Sequence, residues 1–257
     1  MKFSILPMLF MIQVFAVWYV ARRAERFGAI NRHGIFWINI LLAFWVLWAV
    51  ISSALALNGI YQSAWFLGSW PTIWVTMIPV MMVMIPLALS GAARTLLREL
   101  IDATPLFWLV GFQALRILAI GGIAKALNGE FSRYFGLYIG IPDFIFGVSA
   151  LFMAWLVYRN KISGGMVAFW NLIGAMIIVP GGLVLLQMGL PGPWHVFTAS
   201  PTILTIFEFP MALAPTVVVP IFIMLNLLIA LRLIERSISD RAELTSRQNM
   251  GENGEAT

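Results

Sequence analysis

Seven stretches of this sequence are long and apolar enough to decide what the chain can fold into. They lie at Ile5–Ala21, Ile35–Leu57, Pro71–Ser90, Thr104–Leu127, Ile139–Tyr158, Met166–Met188 and Ile203–Ile234. A bilayer core about 30 Å thick is crossed by about 20 residues of α-helix. In lipid, a helix satisfies its own backbone polar groups, which few other structures do. The runs therefore predict an all-α fold, a polytopic transmembrane bundle of seven helices over residues 1–236. A polar tail at 237–257 lacks aromatic residues and reads as disordered. The last run exceeds one upright span, so it must tilt, kink or protrude. Only 11% of the 257 residues are charged, against about 25% in a soluble domain. Lipid is the solvent that suits such a chain.

The basic residues give an orientation. Arg22, Arg23, Arg26 and Arg32 follow the first run, Arg94 and Arg98 the third, and Arg159 and Lys161 the fifth; Arg232, Arg236, Arg241 and Arg247 close the chain. The opposite side holds Lys2, Lys125 and Arg133. Positive loops stay in the cytoplasm, so the N-terminus is expected outside and the C-terminus inside, in a cell inner membrane. The net charge of +5 thus reads as a topology signal, and no nucleic-acid partner is expected. The first run is followed by arginines and no small-residue cleavage site, so it reads as an anchor and not as a signal peptide. The segment Ala92–Ala103 reads as an amphipathic surface helix, with Leu96, Leu97, Leu100 and Ile101 turned to lipid.

The pattern predicts a three-helix unit written twice, a 3+1+3 plan with parallel halves at 5–90 and 139–234, joined by a connecting helix at 104–127. Pro7, Trp18, Arg22, Phe36-Trp37-Ile38-Asn39 and Pro71-Thr72-Ile73 in the first copy answer Pro142, Trp155, Arg159, Phe169-Trp170-Asn171 and Pro201-Thr202-Ile203 in the second. Parallel repeats of this kind occur in transporters.

The misplaced polar residues carry what functional signal there is. Arg116 falls near the middle of the fourth run, where an arginine costs about 2.5–3.5 kcal/mol on insertion scales. Gln113 shares its helical face. Asp143 and Glu208 are the available acids, and Asn171 and Asn39 are expected to line the same interior. Two readings stay open: an ion pair that fixes helix register, or a polar cavity in which Arg116 attracts an anionic group. The substrate-binding candidates are therefore Arg116, Gln113, Asp143, Asn171, Glu208 and Asn39.

Several chemistries are not expected. The chain has no cysteine, and so neither disulfides nor thiolate metal sites. His33 and His195 fall on opposite sides, so no shared haem or zinc is predicted. Met77, Met81, Met82 and Met84 read as packing residues, not a copper site. No cofactor, metal or catalytic residue is expected: beyond Asp143 and Glu208 there is no acid–base pair, and no nucleophile motif is present.

Residues 105–235 resemble a family of uncharacterised bacterial multi-pass membrane proteins. The resemblance is carried by Phe112, Arg116, Leu118, Gly140-Ile141-Pro142-Asp143, Gly147, Trp170-Asn171, Gly174, Pro191-Gly192-Pro193, Phe197, Phe209-Pro210, Pro215 and Val219-Pro220. It implies a bacterial origin and a helical bundle, and no activity. The chain departs at Ile177 and Asn226, where members of that family often carry Asp and His. The function expected from the sequence is binding or translocation of a small polar or anionic solute around Arg116. The competing expectation is a non-catalytic accessory or sensory subunit that contacts other membrane proteins.

Overall fold

The computed structural model describes residues 4–254, with side-chain surroundings given through Ala242. The described residues are helical and turn, with no strand. The helices are α1 (Leu6–Arg26), α2 (Arg32–Leu57), α3 (Trp74–Leu89), α4 (Gly91–Asp102), α5 (Leu106–Leu127), α6 (Arg133–Tyr158), α7 (Gly164–Gly189) and α8, which joins the π-helical Ala214–Val218 to Val219–Gly254. Short turns of helix at Ile60–Gln62, Ala64–Gly68 and Ile203–Phe207 cap the loops. Five of these helices, α2, α5, α6, α7 and α8, are long and apolar enough to cross a membrane, and a sixth span results if α3 and α4 count as one bent segment. The chain is a multi-pass membrane protein.

Backbone chemistry sets the boundaries. Asn31 caps α2 by accepting from the Gly34 N–H at 2.8 Å, and Ser90 caps α4 by accepting from the Ala93 N–H at 3.2 Å. Ser90 is extended (φ −127°, ψ 120°), and there the chain bends by 113° between α3 and α4. The run read as Pro71–Ser90 thus yields a helix of 16 residues, about 24 Å long. The run Ile203–Ile234 is not one helix. It opens as a short 3₁₀ turn, passes through a bend at Glu208, turns at 209–212 and a π-helical segment Ala214–Val218, and becomes regular only at Val219. Regular helix then continues to Gly254, through the segment expected to be disordered from 237.

The amphipathic helix falls where the sequence placed it, but its apolar face meets protein. Leu96 packs on Gly34 so closely that a Cβ there would lie 2.7 Å from it, and Ile101 is buried. The polar side of α4 grips α8: Arg98 clamps Glu235 (2.9 and 3.0 Å), and Asp102 holds Arg232 (2.5 and 2.9 Å) and Arg236 (2.5 Å). Arg23 donates to the Ala103 carbonyl at 2.9 Å. The ends of α1, α4 and α8 therefore meet at one end of the bundle.

Two buried clusters fill the interior. The larger joins α1, α2, the loops after α2, the segment 203–222 and the ends of α6 and α7. The smaller joins α5, α6, α7 and the far half of α8, through Val110, Met153, Val167, Ile229 and Leu233. The two proline-rich segments differ: α3 stays helical through Pro79 and Pro86, whereas the chain is irregular around Pro210 and Pro215.

A candidate solute site around Arg116

Two glycines bring the site together. Asp143, Phe146, Gly147 and Ala150 share one face of α6. A Cβ on Gly147 would lie 2.5 Å from the Ile117 nitrogen and 2.8 Å from the Arg116 carbonyl carbon, so α6 touches the α5 backbone there. At this crossing α5 tightens into a 3₁₀ stretch, Gln113–Ala119. On the far side, Gly174 of α7 is a socket for Phe146: a Cβ would lie 2.1 Å from the ring. With backbone against backbone at Gly147 and only the Phe146 ring seated against Gly174, Arg116 reaches both neighbours.

Arg116 is buried, with its side chain 2% exposed. Its Nε donates to Asp143 Oδ1 at 2.7 Å, and Nη2 meets the same oxygen and donates to the Gly174 carbonyl at 3.0 Å. The guanidinium lies 4.4 Å from the Phe146 ring centroid. Phe146 in turn stacks on Trp170 at 4.2 Å, and the Trp170 indole donates to Ser149 Oγ at 3.1 Å. The cation is thus held by one carboxylate, one backbone carbonyl and one aromatic face.

That arrangement leaves polar capacity over. Arg116 Nη1 has no hydrogen-bond partner among the described residues; neither do both side-chain polar atoms of Gln113, Asn171 Oδ1, and both side-chain polar atoms of Asn226. Gln113, Asn171 and Asn226 are all 0% exposed. Helices α5 and α7 run in the same direction, and the Arg116–Gly174 bond sets their register. Gln113 and Asn171 each lie three residues back, about 4–6 Å toward the α4 end. Phe112 touches Phe222 with ring centroids 5.6 Å apart, and α8 runs the opposite way, so Asn226 falls about one turn nearer the α4 end. The Asn171 Nδ2 donates to the Val167 carbonyl of its own helix at 2.9 Å. Three buried amides thus lie on the α4 side of a paired arginine, on the same helices that build the smaller apolar cluster.

Four of the six sequence candidates, Arg116, Gln113, Asp143 and Asn171, belong to this region. Glu208 and Asn39 do not. Glu208 lines a cavity of about 20 Å³ with Lys125, Glu130, Thr205 and Met211, because the break in the 203–218 segment holds it toward the other end of α5. Asn39 is exposed, because the buried face of α2 runs through Ile35, Ile38, Leu42, Trp45 and Ala49. Sequence reasoning missed Phe146 and Ser149, although both fall on or beside the helical face that Asp143 defines.

A second buried polar group was also missed. Pro220 has no N–H, so the Thr216 carbonyl one turn earlier loses its helical partner. Trp48 Nε1 donates to that carbonyl at 2.9 Å. Gln13 Nε2 donates to the Val218 carbonyl at 3.1 Å, and Ser52 Oγ pairs with Thr216 Oγ1 at 2.8 Å while accepting from the Tyr61 hydroxyl at 3.0 Å. Trp48 thus replaces the donor that Pro220 removes, and the other side chains tie α1 and α2 to the same segment of α8. The signal in the sequence was the proline itself, read four residues back.

No group of three or more metal-ligating side chains occurs among the described residues. No protein-family model, curated protein or solved structure matches the chain, so the bacterial family suggested by residues 105–235 is not identified.

Proposed function

We propose that this chain binds a small polar solute at the buried amides beside Arg116 and carries it across the membrane. The observation that supports the reading is the surplus of buried hydrogen-bonding atoms on Arg116, Gln113, Asn171 and Asn226. Buried polar groups without partners are costly, and intramembrane polar residues mark solute paths by default. The charge of Arg116 is already met by Asp143, so the unpartnered set offers donors and acceptors together. That favours an uncharged solute with both kinds of group over an anion. In this reading α1, α2, α3, α5, α6, α7 and α8 make seven crossings of a bacterial inner membrane, with the arginine-rich end of α1, α4 and α8 in the cytoplasm. A 3+1+3 duplication would supply the two halves that rock about the site.

Uptake by proteoliposomes tests it, with glycerol and urea as uncharged probes and acetate as the anionic one. Uncharged probes should enter faster than into empty vesicles, and Gln113→Leu should abolish the excess while the protein still inserts. Entry no faster than into empty vesicles would overturn the transport reading. A second reading, a non-catalytic accessory or sensory subunit, is favoured by the large exposed aromatic side chains of α1 and α2, among them Phe15, Phe36, Trp37 and Phe44. It predicts stable co-purification with a second membrane protein and no uptake.

A further inference from the structure

An open trough of about 610 Å³ runs between α1 and α2, lined by Met11, Phe15, Trp18, Asn39, Ala43 and Val50, among others. Its walls are apolar except at one end, where the Asn39 side chain is exposed and makes no hydrogen bond among the described residues. From Asn39 to Val50 the trough follows α2 for about 16 Å, the depth of one leaflet of a core about 30 Å thick. An apolar channel one leaflet long, with an amide at its shallow end, matches an acyl chain whose ester sits at that amide.

Charge completes the match. The α1 face that lines the trough, Met11–Phe15–Trp18, continues one and two turns on to Arg22 and Arg26. The Arg22 guanidinium lies 5.9 Å from the Trp18 ring centroid. On α2 the face through Ala43 and Asn39 continues back to Phe36 and Arg32. Glu25 pairs with Arg22 at 2.9 Å, which leaves Arg26 and Arg32, both exposed, as uncompensated cations at the mouth. We propose that this trough is a binding site for one anionic phospholipid of the leaflet facing the α1–α2 loop. The acyl chain lies along Ala43 and Phe15, Asn39 donates to the ester, and Arg26 and Arg32 flank the phosphate. The site lies on the opposite face of α1 from Gln13 and the bundle interior, and it does not depend on solute transport.

The test uses delipidated full-length protein in detergent, titrated with phosphatidylglycerol or phosphatidylcholine and read by native mass spectrometry. Each juxtamembrane cation contributes about fivefold in lipid affinity, so phosphatidylglycerol should be retained about 25-fold more tightly. Arg26→Gln with Arg32→Gln should bring the two lipids to near parity. Ala43→Phe, at an exposed position, fills the trough and should weaken both lipids at least about tenfold, by removing the acyl contact. Equal retention of the two lipids by the unaltered chain would overturn the proposal. So would an Ala43→Phe protein that binds as before, or Asn39→Cys chains that cross-link into dimers and exclude lipid, which would give the trough to a second copy.

Discussion

The two buried polar regions of this protein use the same kinds of residue for opposite ends. Around Thr216, side chains from α1 and α2 are aimed at carbonyls of an irregular helix, one of them set free by Pro220, and the polar groups there are largely paired with one another. Around Arg116, the helices are close-packed on Gly147 and Gly174, and the side chains exceed the partners found among the described residues. The first region mends a backbone. The second stores hydrogen-bonding capacity. The difference teaches that a polar residue within the bilayer is informative about ligands only after the backbone's own needs are subtracted.

The comparison breaks most readily at the ion pair. Removing one partner of a buried pair leaves an uncompensated charge, so Arg116→Ala or Asp143→Ala should each lower stability by about 3–5 kcal/mol. The double replacement Arg116→Met with Asp143→Leu should recover most of that loss, as apolar substitutes often do. Thermal unfolding in detergent measures both, and single variants as stable as the parent would mean that the pair does not hold the three helices together.

A smaller effect sharpens the other side. Trp48→Phe leaves the Thr216 carbonyl without its donor and should cost about 1–3 kcal/mol. In a Pro220→Ala background the restored N–H can serve that carbonyl, so the same replacement should cost less. Equal losses in both backgrounds would show that Trp48 matters only through packing.

The smallest expected effect lies outside both regions, at the α4–α8 contact. The hydrogen bond from Arg232 holds the Asp102 carboxyl below its ordinary value of 3.8. Its contribution is therefore complete above that ordinary value and fades as pH falls through the lower, folded one. Partly exposed pairs contribute little, about 1 kcal/mol or less. Hydrogen exchange in α4 should rise at acid pH, and Asp102→Asn should remove that response; an Asp102→Asn protein with the parent's pH profile would assign it elsewhere.

Much of this was legible in advance. Runs at Ile35–Leu57 and Met166–Met188 match helices Arg32–Leu57 and Gly164–Gly189 within three residues, because lipid thickness sets helix length. The partnership of Arg116 with Asp143 was readable because a charge in the hydrocarbon has few partners to choose from. Depth is encoded in chain position, but direction around the helix is not. Helix α2 is apolar on every side, so nothing in its pattern reported that Asn39 faces outward. The 3₁₀ stretch in α5 and the break before α8 shift side chains off the 100° spacing on which face assignments rest. Glu208 was misgrouped with Arg116 for the second reason.

The bracing of α8 has a mechanical corollary. Its regular portion begins just after a π-helical segment and is gripped far along its length by Asp102 and Arg98. A stiff rod with a soft joint at one end and a clamp near the other pivots only if the clamp travels with it. Any tilt of α8 at the Pro215 joint would therefore drag α4, and through the Arg23–Ala103 contact the end of α1, like a crank with two linked arms.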